Sequence, residues 1–257
     1  MQKQNYPTLL LSLVIAASFL LPQTANSQAL EGEIRYLLTH NWSKKMSALD
    51  YISKQQRERI AYMWGNRSEW KEYATLYFSP TESKYVESEE RAEPDDDGYS
   101  WKKDAFYLKR NFEQNRVHDV VTLLSRTYIV EDTLNAPSWK ILNDMKEVAG
   151  HICMNAIWQD TLKKQTITVW FALDMPIPAG PERLCGLPGI ILEADYNDGA
   201  QVITADRITL RKLDKELALP KKQKGKKVNE AGYFDIIRQH LAEKRKAEEP
   251  WFWGMRY

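Results

Sequence analysis

Trp170–Asp195, WFALDMPIPAGPERLCGLPGIILEAD, holds the most specific pattern in the chain. Within it Gly186 and Gly189 bracket Leu187 and Pro188, and we call these four residues the signature turn. A proline restricts the residue before it towards extended geometry. Gly189 can then make a sharp entry, with a positive φ, into the apolar run that follows. We expect a structural turn that leads into a strand; a turn that passes close to a ligand is the alternative.

The sequence on both sides of this segment has the period of two that is typical of β-strands. Ile190–Tyr196 and Gln201–Leu210 flank Asn197-Asp198-Gly199, whose residues tolerate positive φ, so these segments predict a hairpin. Many short strands at regular spacing predict a mainly β (α+β) fold on a curved antiparallel sheet, of which a half-barrel is one form. The other predicted strands are Gly32–Thr39, Tyr73–Phe78, Lys84–Ser88, Trp101–Leu108, Val117–Tyr128, Trp139–Leu142, Ile152–Trp158 and Thr166–Leu173.

Two further segments fit the helical period. Lys44–Trp64 carries an interrupted apolar stripe that ends at Gly65-Asn66, which predicts an N-terminal helix. Asn229 is suited to cap a C-terminal helix over Glu230–Lys246, with its apolar residues on one face.

Residues 1–28 have the three parts of a secretory signal. Lys3 supplies the charge, Leu9–Leu21 is an apolar run, and Ala25-Asn26-Ser27 fits the small-x-small cleavage rule. An apolar run of 13 residues is too short to span a bilayer core, which needs about 20 residues. We therefore predict cleavage after Ser27, export to the periplasm or the extracellular space, and no transmembrane segment in the mature chain. A retained membrane anchor is the alternative.

The predicted organisation is a signal peptide over residues 1–27, a β-rich domain over residues 28–210 and a C-terminal part over residues 211–257. The C-terminal part consists of a basic linker (Arg211–Lys227), the C-terminal helix and an aromatic tail (Trp251–Tyr257). Exposed apolar clusters are a liability, so we expect the tail to dock in a groove of its own domain rather than on a partner. The linker is expected to be a solvated connection; contact with acidic polymers or anionic head groups is the alternative.

The chain has two cysteines, Cys153 and Cys185. An even count in an exported protein favours one disulfide, which would fasten the signature turn to the strand Ile152–Trp158. Two buried free thiols are the competing interpretation. His151 and Cys153 are two residues apart and share a strand face, so a metal site of His151, Cys153 and Cys185 is a weaker alternative. No metal or other cofactor is expected.

Four elements of the chain resemble, in the same order, the pattern of the GLPGLI family of exported proteins, mostly from Bacteroidetes. Gly186–Ile191 is similar to the naming signature, and Asp174–Pro181 to the acidic and Gly-Pro run before it. Upstream, Trp139–Ile141 and Gly150–Ala156 are similar to a Trp-x-Ile…Gly-Tyr-x-Cys-x-x-Ala element, with His151 replacing the tyrosine. The resemblance covers about residues 139–210. It implies an exported, β-rich protein and supplies no activity or catalytic residue, because none is established for the family.

The sequence contains no Gly-x-Ser-x-Gly elbow, no phosphate-binding Gly-rich loop and no His-Glu-x-x-His helix, so an enzyme is not expected. The formal net charge of +1 falls to zero when Lys3 is removed, so nucleic acid is not an expected partner. We predict a binding, carrier or envelope-assembly protein that holds an apolar or extended ligand, or an envelope protein, on the concave face of its sheet. Trp158, Trp170, Tyr196 and the signature turn are the candidate lining, and ordinary core is the alternative for each aromatic.

Two other functions remain open. Glu193 and Asp195 share a strand face, with Asp198 in the turn that follows, and paired carboxylates can support a hydrolase if one pKa is raised; the wet face of a hairpin is the plainer interpretation. An accessory subunit of an outer-membrane complex would use Arg211–Tyr257 as its docking arm. The lineage implied by the resemblance also makes Thr133 and Thr161 candidate O-glycosylation sites, because each lies in an Asp-Thr-Leu triplet.

Overall fold

The computed structural model describes residues 30–64, 69–92 and 106–257. The predicted signal peptide, Gly65-Asn66 and residues 101–105 of the strand predicted over Trp101–Leu108 lie outside these residues. In the described part, one sheet of twelve strands confirms the predicted mainly β fold. The strands are β1 (Gly32–Asn41), β2 (Glu69–Phe78), β3 (Glu82–Glu87), β4 (Tyr107–Asn111), β5 (Arg116–Leu123), β6 (Arg126–Thr133), β7 (Lys140–Val148), β8 (His151–Asp160), β9 (Gln165–Ala172), β10 (Ile191–Tyr196), β11 (Gln201–Leu210) and β12 (Lys226–Val228).

The strand order is β12-β6-β5-β4-β3-β2-β1-β11-β10-β9-β8-β7. β1 therefore lies near the centre, hydrogen-bonded to β2 on one side and to β11 on the other. Every neighbouring pair is antiparallel except β12, which pairs parallel with β6. The sheet thus consists of two meanders that meet at β1, and its two edges are β12 and β7.

A short connection explains why this sheet is curved. β6 and β7 lie ten strand intervals apart, which is about 48 Å in a flat sheet. Only residues 134–139 connect them, and a fully extended segment of that length reaches about 25 Å at most. The sheet must therefore bend until its two ends approach each other. Over the described residues the sheet does not close into a barrel, so the predicted curved sheet is confirmed; we call this open, curved form the half-barrel.

The core lies on the inner face of this curve. Ile34, Tyr36 and Leu38 alternate along β1 and are each fully buried, as the period of two predicted. On β9 the inward positions are Ile167, Val169 and Phe171. Because consecutive strands repeat this alternation, the inner face is apolar over most of the sheet.

Residues 173–190 contain no helix or strand and fold into the inside of the curve. Main-chain hydrogen bonds satisfy the polar groups of this segment: Ile190 N donates to Met175 O at 3.0 Å, and Gly186 N donates to Pro178 O at 3.0 Å. A buried loop without such partners would carry a large desolvation cost. Its apolar side chains belong to the core: Met175, Ile177, Ala179, Leu184, Leu187 and Ile190.

The two glycines of the signature turn serve different purposes. Gly186 has a φ of +90°, and a side chain there would also clash with Ala136. Gly189 is not among the positive-φ residues, so the expected positive φ at this position is wrong. A Cβ at Gly189 would instead overlap the carbonyl oxygen of Ala172 at the end of β9. Gly189 is therefore required for close backbone approach.

The predicted N-terminal helix over residues 44–64 is wrong as one element, because it is two helices, α1 (Trp42–Ser47) and α2 (Lys54–Trp64). Ser53 and Gln56 form a capping box that starts α2: Gln56 N donates to Ser53 Oγ, and Ser53 N donates to Gln56 Oε1. Met46, Leu49 and Ile52 from this region are buried.

Two strand predictions also change. The single strand predicted over residues 117–128 is the hairpin β5–β6, which turns at Leu124 and Ser125 with φ of +52° and +62°. The basic linker supplies the edge strand β12, which the sequence pattern did not predict. The hairpin β10–β11 is confirmed, with positive φ at Asn197, Asp198 and Gly199.

The C-terminal helix, α3 (Glu230–Lys246), begins where predicted, and the Asn229 side chain accepts a hydrogen bond from Gly232 N. Beyond it the aromatic tail packs within its own domain, as expected. Trp251 and Phe252 are buried, and the Trp251 ring stacks on Tyr257 with centroids 5.2 Å apart. The tail therefore completes the core rather than projecting from it.

We expect Gly189→Ala to lower the free energy of unfolding by more than about 3 kcal/mol, because the new methyl group must displace backbone. Gly150→Ala is the matched control: Gly150 has a φ of +85° and open space around it, so only the strain of that φ is added, about 1–2 kcal/mol. Urea unfolding of both variants measures the difference. Equal losses would show that the close approach at Gly189 contributes nothing.

Candidate functional site

A cavity of about 460 Å³ lies inside the half-barrel, between the sheet, α3 and the aromatic tail. This volume is within the range of small-molecule sites, about 300–1,000 Å³. Strands from both halves of the sheet contribute to its wall because the curve brings β4 and β5 opposite β8, β9 and β10. Apolar side chains form most of the lining: Leu108, Val117, Val121, Leu123, Leu134, Trp158, Leu162, Ile167, Leu184, Tyr196, Tyr233, Phe234, Ile237, Met255 and Tyr257.

Two of the candidate lining residues lie at this cavity. Trp158 on β8 and Tyr196 on β10 share its wall, and Tyr196 packs edge-on against Tyr257 of the tail at 6.4 Å. Trp170 lies on the opposite face of the sheet, where the Lys146 ammonium is 4.5 Å from its ring centroid. The signature turn is not among the lining residues either. A ligand contact at Trp158 or Tyr196 stays a prediction.

One end of the cavity is bounded by a buried network of charges, which no pattern in the sequence predicts. Arg110 on β4 pairs with Asp119 on β5, and both side chains are almost fully buried. Arg183 Nε lies 3.2 Å from the same carboxylate. Arg183 Nη2 also donates to Glu230 at 2.8 Å, which brings α3 into the network. Two cations thus face two carboxylates, as the desolvation cost of buried charges requires.

A second charged group fastens the tail at the cavity. Arg256 pairs with Glu182 of the loop over residues 173–190. Lys163 Nζ donates to the main-chain oxygens of Arg256 and Tyr257 at 3.1 and 3.0 Å. Burial lowers the pKa of Lys163 to about 8, although Asp160 and Glu182 act in the opposite direction. The tail is therefore held by polar contacts as well as by its rings.

Two polar residues of the cavity wall are held in the interior. Gln165 is 1 % exposed, and its side-chain hydrogen bond with the Tyr257 hydroxyl lowers the pKa of that phenol. Gln165 therefore helps to hold the tail against β9. Arg183 Nη1 is enclosed by protein atoms and has no hydrogen-bond partner among the described residues.

The tail separates this cavity from an aromatic groove of about 270 Å³ at the end of the sheet, because Met255, Arg256 and Tyr257 line both. Lys45 is buried there, with its ammonium 4.3 Å from the Tyr257 ring centroid and 2.7 Å from His40 Nδ1. Burial lowers the pKa of Lys45 well below its ordinary value and lowers the pKa of His40 as well. These contacts hold the tail from its outer side.

The predicted disulfide is not present, because Cys153 and Cys185 are both free, buried thiols. Their side chains lie on opposite sides of the sheet. Cys153 alternates with Met154 and so faces away from the cavity side of β8, whereas Cys185 lies near Arg110 at the cavity wall. Burial raises the pKa of Cys153 to about 11 and raises that of Cys185 as well. Both groups are therefore unreactive thiols in the folded chain.

The weaker metal alternative is not supported by the geometry of the described residues, among which no group of three potential ligands converges. His151 Nδ1 lies 2.8 Å from Asp174 Oδ2, and the sheet separates Cys185 from this pair. The carboxylates proposed for a hydrolase do not converge at the cavity either. Glu193 pairs with Lys146 at 2.5 Å on the outer face. Asp195 accepts from Gly199 N in the hairpin turn, and burial raises its pKa.

The remaining candidate residues lie at the surface. Thr133 and Thr161 are both exposed, so their predicted modification is sterically open and stays a prediction. The basic linker runs along the outside of the sheet: Lys109 Nζ donates to Leu217 O at 2.7 Å, and His118 Nε2 lies 2.7 Å from Gln223 Oε1. It is anchored to its own domain by these contacts.

Comparison with known proteins supports the fold and leaves the activity open. Residues 158–193 match the model of Porph_ging, a family of proteins of unknown function. This match is short but covers the signature turn; it does not confirm the GLPGLI resemblance, which stays a prediction. A search of curated proteins gives no match to the chain. In the described residues, no helix has the length and apolar character needed to cross a membrane.

The fold resembles that of PNGF-II. Two crystal forms of that protein superpose with TM-scores of 0.54 and 0.53, at 14% and 15% sequence identity. In both cases the similarity covers 81% of this chain and 33% of PNGF-II, so the chain spans about a third of that protein's length. At this identity the similarity shows a shared fold.

Without a disulfide, protein that is denatured in the absence of reductant should take up two carbamidomethyl groups from iodoacetamide. The native protein should take up none on the same timescale, because both thiols are buried and protonated at neutral pH. Intact-mass spectrometry counts the adducts. Labelling that appears only after reduction would restore the predicted disulfide.

Lys163 should make stability depend on pH. Its folded pKa of about 8 is below its ordinary value of 10.5, so between these pH values the unfolded chain binds more protons and the free energy of unfolding rises with pH. The rise contributed by Lys163 is at most about 3 kcal/mol. The free energy of unfolding of Lys163→Met, measured by urea unfolding from pH 7 to 10, is subtracted from that of the parent protein at each pH. This subtraction removes the contribution of the buried tyrosines, which both proteins share. A flat difference would contradict a depressed pKa for this lysine.

Proposed function

We propose that the chain is an exported, non-enzymatic binding protein that holds a mainly apolar ligand in the cavity between the sheet, α3 and the aromatic tail. The observation that carries this proposal is the cavity itself, of about 460 Å³ and lined mainly by apolar side chains. A concave, mainly apolar site of this size with a few polar groups in its wall is typical of small-molecule binding.

The wall of the cavity favours binding over catalysis. Its cations and carboxylates form ion pairs with each other, such as Arg110 with Asp119 and Arg256 with Glu182. A general acid or base needs a titrating group that reaches the substrate. Lys163 has a shifted pKa, but its ammonium is held by two main-chain oxygens of the tail. Binding and release of a ligand require none of these groups to change partners.

The tail fits a carrier role because no strand pairing fixes this part of the wall. Its polar contacts with the rest of the chain include a main-chain hydrogen bond from Leu124 N to Gly254 O and the side-chain contacts of Arg256 with Glu182 and of Tyr257 with Asn197. A displacement of residues 255–257 opens the cavity towards the aromatic groove, since these residues line both. We include export in this proposal because the N-terminus has the pattern of a secretory signal.

An apolar dye tests the proposal. N-phenyl-1-naphthylamine should gain fluorescence with the protein, and Val121→Phe should weaken its binding about tenfold or more, because the larger ring fills part of the cavity. Val202→Phe is the matched control, since Val202 is half-buried on the outer face of β11. Circular dichroism confirms that both variants fold.

Dye binding that is absent, or that both variants weaken equally, would count against the cavity as the binding site. A dye that binds normally to both variants would place the apolar surface elsewhere on the protein.

A further inference from the structure

We infer that the second half of the basic linker is a docking surface for the anionic head groups of a lipid bilayer. The surface is formed by residues that we call the lysine cluster: Lys221, Lys222, Lys224, Lys226 and Lys227. The choice of a bilayer as the partner rests on the proposed function, because an apolar ligand partitions from water into membranes.

The lysine cluster carries a positive charge that the protein does not compensate. Residues 220–227 contain five lysines and no acidic residue, and all five lysines are exposed. Among the described residues the cluster forms one ion pair, between Lys227 Nζ and Glu131 at 3.3 Å. The chain without Lys3 has a formal net charge of zero, so the attraction to an anionic surface is local to this segment.

The main chain of the cluster is fixed to the sheet. Gln223 Oε1 lies 2.7 Å from His118 Nε2 on β5. A Cβ at Gly225 would lie 3.0 Å from the carbonyl oxygen of Thr127, so the linker lies directly against β6 at this point. Lys226–Val228 then pairs with β6 as β12. Because the main chain is already ordered, docking costs less conformational entropy than docking of a flexible linker.

The lysine cluster also adjoins the wall of the cavity. β12 is followed directly by Asn229, the cap of α3, and Tyr233 and Phe234 of α3 line the cavity. Residues 134–137, which follow β6, line it as well. A bilayer that contacts the cluster therefore lies beside the cavity. An acidic polymer fits the charge of the cluster equally well, but it holds no apolar ligand for the cavity to exchange.

Cosedimentation with lipid vesicles tests this inference. The predicted mature chain, residues 28–257, is used because the apolar run Leu9–Leu21 would bind vesicles by itself. We expect binding to vesicles of phosphatidylglycerol and phosphatidylcholine in equal parts, and none to phosphatidylcholine alone. Raising the ionic strength from about 0.1 M to about 1 M should release the protein, because the Debye length falls from about 10 Å to about 3 Å.

A triple variant tests the lysine cluster itself. Each lysine near an anionic membrane surface strengthens binding about fivefold. Lys221→Gln, Lys222→Gln and Lys224→Gln together should therefore weaken binding to the mixed vesicles about hundredfold. Dye binding, measured without vesicles, should stay unchanged, because these side chains are absent from the cavity lining. Circular dichroism confirms the fold.

The matched control removes the same charge elsewhere. It replaces exposed lysines of α2, of the β8–β9 turn and of the end of α3: Lys54→Gln, Lys164→Gln and Lys246→Gln. This variant should bind the mixed vesicles within about threefold of the parent. Equal losses in the two triple variants would overturn the inference, because the position of the charge would then not matter.

Two other results would overturn the inference and leave the proposed function intact: equal binding to both kinds of vesicle, and binding to heparin without binding to either. The second result would assign the lysine cluster to an acidic polymer. Vesicle binding as expected, together with no dye binding, would contradict the proposed function and support the docking surface.

Discussion

One hydrogen bond lies where the two main constraints of the structure meet: Trp139 Nε1 donates to the carbonyl of Cys185 at 2.9 Å. Trp139 ends the short connection that pulls the two ends of the sheet together. Cys185 precedes the signature turn, in the loop that fills the curve. Ala136 of the same connection packs against Gly186 so closely that a side chain there would clash. This contact therefore joins the connection that bends the sheet to the loop that fills its interior.

This arrangement explains how a cavity can persist inside an otherwise packed domain. The loop over residues 173–190 fills one part of the curve with apolar side chains and leaves the rest to α3 and the aromatic tail. Neither α3 nor the tail pairs with the strands around the cavity, so neither can fill that volume as tightly as a further strand layer would. The charge network of Arg110, Asp119, Arg183 and Glu230 then fixes α3 at its N-terminal end. The cavity is the part of the curve that the loop, α3 and the tail leave unfilled.

The sequence predicted the elements whose signals are local. The strand alternation of β1, the β10–β11 turn and the Asn229 cap each depend on a few adjacent residues. Ser53 and Gln56 are an equally local signal, since their capping box starts a second helix within residues 44–64. The turn at Leu124 and Ser125 could not be predicted, because neither residue is typical of positive φ. The predicted disulfide is wrong for a different reason: the number of cysteines does not indicate on which side of a sheet each thiol lies.

Only some of the residues at the cavity could be predicted from the sequence. Of the three aromatic residues predicted to line the concave face, Trp158 and Tyr196 lie at the cavity and Trp170 does not. Arg110, Asp119, Arg183 and Glu230 come from β4, β5, a loop and a helix, and no spacing in the chain relates them. Gln165 is a single polar residue in a strand, and nothing in the sequence around it indicates that its amide lies at a cavity. Such groups acquire meaning only after the strand order and the curvature are known.

The central position of β1 has a consequence for how the chain folds. β1 pairs along its whole length with β11, from Gly32 opposite Leu210 to His40 opposite Gln201. The chain between β1 and β11 must close into a long loop before these contacts can form. Topologies dominated by such distant pairs fold slowly. Until β11 arrives, one edge of β1 is open to pairing with other chains. The domain therefore depends on protection during its synthesis, or on rapid pairing of β1 with β2.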